Sequence, residues 1–410
     1  SLIKYYKSNK RDVCEYNQSH KTIYEQTEAV GHAVRATYLY TAMADYAREY
    51  KDDRLFKVCQ ALWENVCKKK MYITGGVGSV SYIEGFGQDY YLPDKDAYAE
   101  TCAAIGLVFW AQRMLQIECN RKYSDVIERV LYNIIPASVS LDGKQFFYGN
   151  PLMSSGNYKR FDKITCACCP PNVIRLFASL GQYIYSANQD DIAVHLYVKG
   201  STKININGTD AELVQDTDYP WNGRVLITLN TKSKVKFKMK LRIPGWCRNA
   251  IVKVNGELFD LSNKMEDGYA VIDRSWKDKD NIELIMEMPV ETIRAHPNME
   301  GKPFKIALQR GPLVYCLESI DNLENIDNNV DLEKIRIPSN TGFSEFYDSS
   351  IPGGIIKITC EGELADDASW GEELYTPGCI KTRPFKVTAV PYCVWGNRGV
   401  GQMIVWINAT

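Results

Sequence analysis

The sequence predicts a multidomain α plus β protein, with a helical first part and two β-rich parts behind it. Two observations carry the prediction. Up to about residue 188, apolar side chains recur at helical spacing; beyond Asp191 a period of two takes over, cut by Asn-Gly turns. A third observation divides the β part: residues 321–331 are acidic, Asn-rich and poor in large apolar side chains, as a linker or surface loop would be. The expected domains are therefore 1–188 (helical), 189–318 (a β-sandwich) and 319–410 (a second sandwich-like domain).

The elements follow in order. Residues 21–49 carry Val30, Ala33, Val34, Ala42, Met43 and Tyr46 at helical spacing, and Leu55, Val58, Cys59, Leu62 and Val66 make an apolar stripe over 53–69. Thr74-Gly75-Gly76-Val77-Gly78-Ser79 breaks the pattern. It has neither the glycine spacing nor the lysine of a phosphate-binding loop. A polar loop, 81–96, brings Glu84, Asp89, Asp94 and Asp96. Helical pattern returns over 99–116 and 124–133. The short aromatic run 144–152 reads as a strand or hairpin arm, and 171–186 reads as helix. From Ala193 onward, short β-branched runs alternate with turns such as Asn207-Gly208, Asn222-Gly223 and Asn255-Gly256.

At 410 residues the chain is long enough for several cores. A formal net charge of −1 gives no electrostatic case for nucleic acid or an anionic membrane surface, and no apolar run is long enough to span a bilayer. Thirteen cysteines cannot all pair, and their spacing lacks the rhythm of a disulfide module, which favours free thiols or a metal site. The 26 tyrosines suit a sugar cleft but suit cores and interfaces equally. Ser1-Leu2-Ile3-Lys4 resembles neither a signal peptide nor a natural start, so the compartment is left open.

The chemistry concentrates in Cys166-Ala167-Cys168-Cys169-Pro170-Pro171-Asn172. Adjacent residues point apart in a helix or strand, so Cys168 and Cys169 share a target only from an irregular segment. A disulfide between neighbours has poor geometry. A thiophilic ion such as zinc, with metal–sulfur bonds of about 2.3 Å, is the better common target. Glu100 and Cys102 complete a four-ligand set if they sit in an extended segment or an irregular first turn. A thiolate held by a metal can attack carbon, and at an anomeric carbon it needs a partner acid, which any of the loop carboxyls can supply. The residues alone do not choose among Glu84, Asp89, Asp94 and Asp96. His32 lies in a helical context, and His20, His195 and His296 have no grouping around them.

Several motifs carry a resemblance. EAVGHAVRATYLYTAMAD (28–45), YITGGVGS (72–79), AYAETCA (97–103), FFYGNPL (146–152), CACCPPN (166–172), LRIPGWC (241–247), GYAVIDRSW (268–276) and LQRGPLVYC (308–316) occur in the order seen in the β-L-arabinofuranosidases of glycoside hydrolase family 127, which this chain resembles over nearly its whole length. The resemblance implies part of an (α/α)6 barrel followed by two β-sandwich domains. It implies Zn2+ bound by Glu100, Cys102, Cys168 and Cys169, with Cys168 as nucleophile and Glu84 as acid/base. It also implies His32 and Tyr148 as sugar contacts and a small oligosaccharide or glycoside as substrate. The expected reaction is retaining, exo-acting hydrolysis of β-L-arabinofuranosides. The alternatives are another plant-polysaccharide sugar on the same fold, or a non-catalytic carbohydrate-binding protein with a structural zinc. The motifs begin in the middle of the family's barrel, so a missing N-terminal segment or a homodimer is expected to complete it.

Overall fold

The computed structural model describes residues 14–162, 168–325, 328–367 and 370–410. Six α-helices lie in the first part of the described chain: α1 (Ala33–Tyr50), α2 (Asp53–Asn65), α3 (Thr101–Ile117), α4 (Arg121–Tyr132), α5 (Ile134–Ala137) and α6 (Cys169–Ala178). Helix α1 buries Ala33, Ala36, Tyr40, Met43, Ala44 and Ala47, a stripe at spacings of three and four. It starts well after residue 21 because Gly31 has φ +72°, which no right-handed helix accommodates. A Cβ at Gly31 would lie 2.1 Å from the Glu15 carbonyl oxygen, so the chain crossing there requires glycine. Helix α2 is capped by the Asp52 side chain, which accepts from the Leu55 amide at 2.9 Å. Helix α3 is buried on nearly every face and packs against α1, α4 and α6, which makes it the post of the helical part.

Two sheets form the middle domain. One has six strands, running in space from Glu257–Phe259 to Gly200–Ile206; the other has five, including Val235–Arg242 and Tyr269–Trp276. Their inward residues, among them Leu213, Ile227, Leu229, Phe237, Met239, Trp276 and Leu284, share one core. The alternation read from the sequence is visible as buried and exposed positions along Thr209–Thr217 and Arg224–Thr231.

The last sheet has ten strands. Strands between 290 and 318 hydrogen-bond into this sheet, not into the middle pair. Met153–Ser155, from the helical part, also joins it by pairing with Gln402–Ile404. The helical part and the last sheet therefore share a continuous apolar core, whereas the middle domain keeps its own. The run 144–152, expected as a strand, makes only isolated bridges at Phe146, to Val139 and Phe161. Its backbone is engaged elsewhere: Tyr148 and Asn150 bond to the segment that enters α3.

An ionic cluster joins the helical part to the middle domain. Arg242, fully buried, donates to Asp125 Oδ1 at 2.7 Å and to both oxygens of Glu128, on α4. Tyr219 and Trp246 also donate to Glu128, and Gly245 N donates to Asp125 Oδ2 at 3.1 Å. Arg242, Gly245 and Trp246 all belong to the LRIPGWC motif, so that motif is an interdomain clamp.

Candidate active site

The donor residues meet where two helices begin. Glu100 is the residue before α3, with extended backbone angles (φ −62°, ψ 134°), and Cys102 follows in the first turn. This is the irregular entry that lets residues two apart face one target. Cys168 precedes α6 and Cys169 opens it, with Pro170 and Pro171 fixing the first turn. Both helix N-termini favour negative charge there. One donor atom from each of Glu100, Cys102, Cys168 and Cys169 lies within 4.8 Å of the other three. Cys166 lies outside the described residues.

The spacing suits one ion. The Cys168 and Cys169 sulfurs are 3.7 Å apart, far beyond a disulfide bond and close to the roughly 3.8 Å edge of a tetrahedron with 2.3 Å metal–sulfur bonds. Glu100 Oε1 lies 3.9 Å from Cys168 Sγ and 3.7 Å from Cys169 Sγ. Glu100 is 3% exposed, and its second oxygen, Oε2, has no hydrogen-bond partner. Three thiols and a buried, half-satisfied carboxyl do not neutralise one another, so the residues present fit a cation.

The electrostatics agree. Burial, then the charges of Cys102 and Glu84, push the Glu100 carboxyl up to about 8. Burial and the Cys102 charge push Cys168 up to about 12, while hydrogen bonding from Cys169, against the opposing effect of burial, brings Cys102 down to about 6. Without an ion, one thiolate holds the charge and its neighbours keep their protons. A divalent ion entering at pH 7 must displace those protons, so metal affinity is expected to rise with pH between 6 and 8. Calorimetric titration in buffers of different ionisation enthalpy should show net proton release; a heat independent of buffer would contradict this account.

A second group adjoins the first. His32 Nε2 lies 3.2 Å from Glu84 Oε2. A two-stranded pairing brings them together, with Gly31 opposite Phe86 and His32 opposite Gly85. Glu84 itself has φ +50°, in the left-handed region that a non-glycine residue rarely adopts. Among the other loop carboxyls, Asp89 is paired with Lys69 at 2.7 Å, Asp94 with Lys302 at 2.8 Å, and Asp96 is exposed. Glu100 belongs to this second group as well as to the thiol set.

Tyr148 stands 2.6 Å from Cys168 Sγ through its hydroxyl. Its position is fixed from two sides. Thr101 N and Oγ1 donate to the Tyr148 carbonyl, and Asn150, fully buried, donates through Nδ2 to Ala99 O at 2.9 Å and Thr101 Oγ1 at 3.0 Å. Behind it Phe147 stacks on Trp395 of the last domain, 4.9 Å between ring centres, and carries the Arg160 guanidinium at 4.4 Å.

Sequence reasoning missed Asn150, Tyr98 and Asn172. Burial and the Glu100 and Glu84 charges hold the Tyr98 hydroxyl protonated. Asn172 donates to the Tyr38 hydroxyl at 3.1 Å and helps to hold the Cys102 thiol below its ordinary range. All three are polar residues inside the motifs AYAETCA, FFYGNPL and CACCPPN, and that placement was the available signal. Concavity alone would have misled. A groove of about 950 Å³ on the middle domain, lined by Lys203, Asn205, Asp210, Glu212 and Asp278 among others, contains none of these donors.

Comparison with known proteins decides the family. Residues 3–182 match the β-L-arabinofuranosidase GH127 catalytic domain, 191–288 the GH127 middle domain and 290–408 the glycoside hydrolase family 127 C-terminal domain. A GH127 β-arabinofuranosidase of known structure is 35% identical, with a TM-score of 0.90 over 100% of this chain and 68% of its own. The chain belongs to glycoside hydrolase family 127. A GH127 β-L-arabinofuranosidase from Geobacillus stearothermophilus T6 superimposes with a TM-score of 0.94 at 43% identity, over 99% of this chain and 66% of its own. A non-reducing end β-L-arabinofuranosidase from Bifidobacterium longum is 33% identical over 95% of this chain. The family 127 chain described here spans 61% of that relative's length.

Proposed function

We propose that this chain carries the centre of a retaining exo-glycosidase for terminal β-linked L-arabinofuranose, with Cys168 as nucleophile and Glu84 as acid/base. The observation that carries the reading is that Glu100 belongs both to the thiol cluster and to the group it forms with His32 and Glu84, so the proposed nucleophile and acid adjoin one carboxyl. The names of the relatives supply the sugar.

Glu100, Cys102, Cys168 and Cys169 would hold the ion, and their thiol-rich donor set suits zinc. Bound zinc would keep the ligating sulfur deprotonated at neutral pH. The Cys168 sulfur attacks the anomeric carbon from the face opposite the aglycone. The carbon–sulfur bond forms as the bond to the leaving oxygen breaks, and Glu84 gives its proton to that oxygen. Glu84, now a carboxylate, takes a proton from water, the water oxygen attacks the same carbon, and the bonding pair returns to sulfur. Two inversions give net retention. His32 holds the Glu84 carboxyl in place and offers its ring to the sugar, and the Tyr148 hydroxyl stabilises the sulfur as the charge on it changes.

Mass spectrometry of protein quenched during turnover of p-nitrophenyl β-L-arabinofuranoside tests this. A pentose adduct on the peptide containing Cys168 is expected, with proton NMR showing the β-anomer as first product. A first-formed α-anomer, or an adduct on another residue, would overturn the assignment.

A further inference from the structure

His32, Glu84 and Glu100 form a donor group of their own: one ligand atom from each lies within 4.8 Å of the other two. Glu100 is 3% exposed; its Oε1 faces the sulfurs, and its Oε2 is left without a partner. The 3.2 Å between His32 Nε2 and Glu84 Oε2 matches the edge of about 3.3 Å between two ligands on an ion with bonds of 2.0–2.1 Å. Charge favours a second cation here. A divalent ion held by three thiolates and a carboxylate is still a net anion.

We propose that His32, Glu84 and Glu100 form a second divalent-cation site, weaker than the thiol site and sharing Glu100 with it, and that an ion bound there stops turnover. The inhibitory part rests on the functional reading above, which makes Glu84 the group that meets the leaving oxygen. An imidazole with two carboxylates suits zinc and similar first-row ions better than calcium or magnesium, which prefer all-oxygen shells. A carboxylate that ligates an ion cannot hand over a proton, and the ion occupies the space the sugar needs. Inhibition is therefore competitive with substrate.

Equilibrium dialysis of the full chain against rising free zinc, with metal counted by mass spectrometry and initial rates measured in parallel, tests the proposal. One ion should be retained at trace free zinc and a second should fill only at higher concentration. The rate should fall as the second fills and recover with added substrate. Glu84→Gln and His32→Ala should each lose the second ion and keep the first, whose retention reports an intact fold. If His32→Ala loses both ions, His32→Gln replaces it. A wild-type chain that takes up a single ion throughout the inhibitory range would overturn the proposal. So would variants that bind the second ion as wild type does. A chain that shows both ions but cleaves no arabinofuranoside would remove the catalytic reading and leave the second site standing.

Discussion

Replacing Glu84 by glutamine is expected to lower kcat/KM by about a thousandfold on a β-L-arabinofuranoside with a poor leaving group, within the usual range for losing a general acid. The loss should depend on the leaving group. The first chemical step needs a proton only where the departing oxygen is basic, so a dinitrophenyl glycoside should form its glycosyl-enzyme nearly as fast as in wild type. The second step still lacks its base, and the intermediate should accumulate. Azide, which needs no deprotonation, should then restore turnover and give the β-azide. A variant equally slow on all leaving groups, and deaf to azide, would show that Glu84 acts on folding or binding instead. The geometry argues for the first outcome. The Glu84 side chain is half exposed and held by His32, while its backbone takes the left-handed conformation that ends the short turn 81–83 and lets its carbonyl accept from the Ala33 amide at 3.0 Å.

Replacing Arg242 by methionine is expected to have the largest effect on stability, about 3–5 kcal/mol, the usual range for removing one partner of a buried ion pair. Arg242 is fully buried and Glu128 is 1% exposed, so removing the guanidinium leaves a carboxylate facing only Tyr219 and Trp246. The double variant Arg242→Met with Glu128→Leu should recover part of the loss, because it removes both charges together. Urea denaturation followed by tryptophan fluorescence measures it. A double variant that loses the sum of the two single effects would contradict the coupling. The helical part and the middle domain should also separate more readily in the single variant, since Asp125, Glu128 and Arg242 span that junction.

The clustering of Cys168 and Cys169 with Glu100 and Cys102 was legible early because three cysteines within four positions, closed by two prolines, admit few other uses. The neighbouring carboxyls were not separable by composition. Asp89 and Asp94 lie in the same polar loop as Glu84, and only the lysines brought up by distant parts of the chain show that both are taken: Lys69 for one and Lys302 for the other. Asn150 was invisible for a similar reason. An asparagine beside a glycine and a proline reads as a turn, yet here it is wholly buried and ties the entry of α3 to the Tyr148 segment.

By itself the sequence determined the change from helical to strand period near residue 190, the helices with strong apolar stripes, and the thiol-rich donors, because these are properties of neighbours along the chain. Tertiary structure alone decided which loop carboxyl stands beside His32 and Glu100, where helix α1 begins, and which sheet receives the strands between 290 and 318. Those outcomes depend on backbone crossings and ion pairs between residues tens to hundreds of positions apart, and local periodicity holds no information about them.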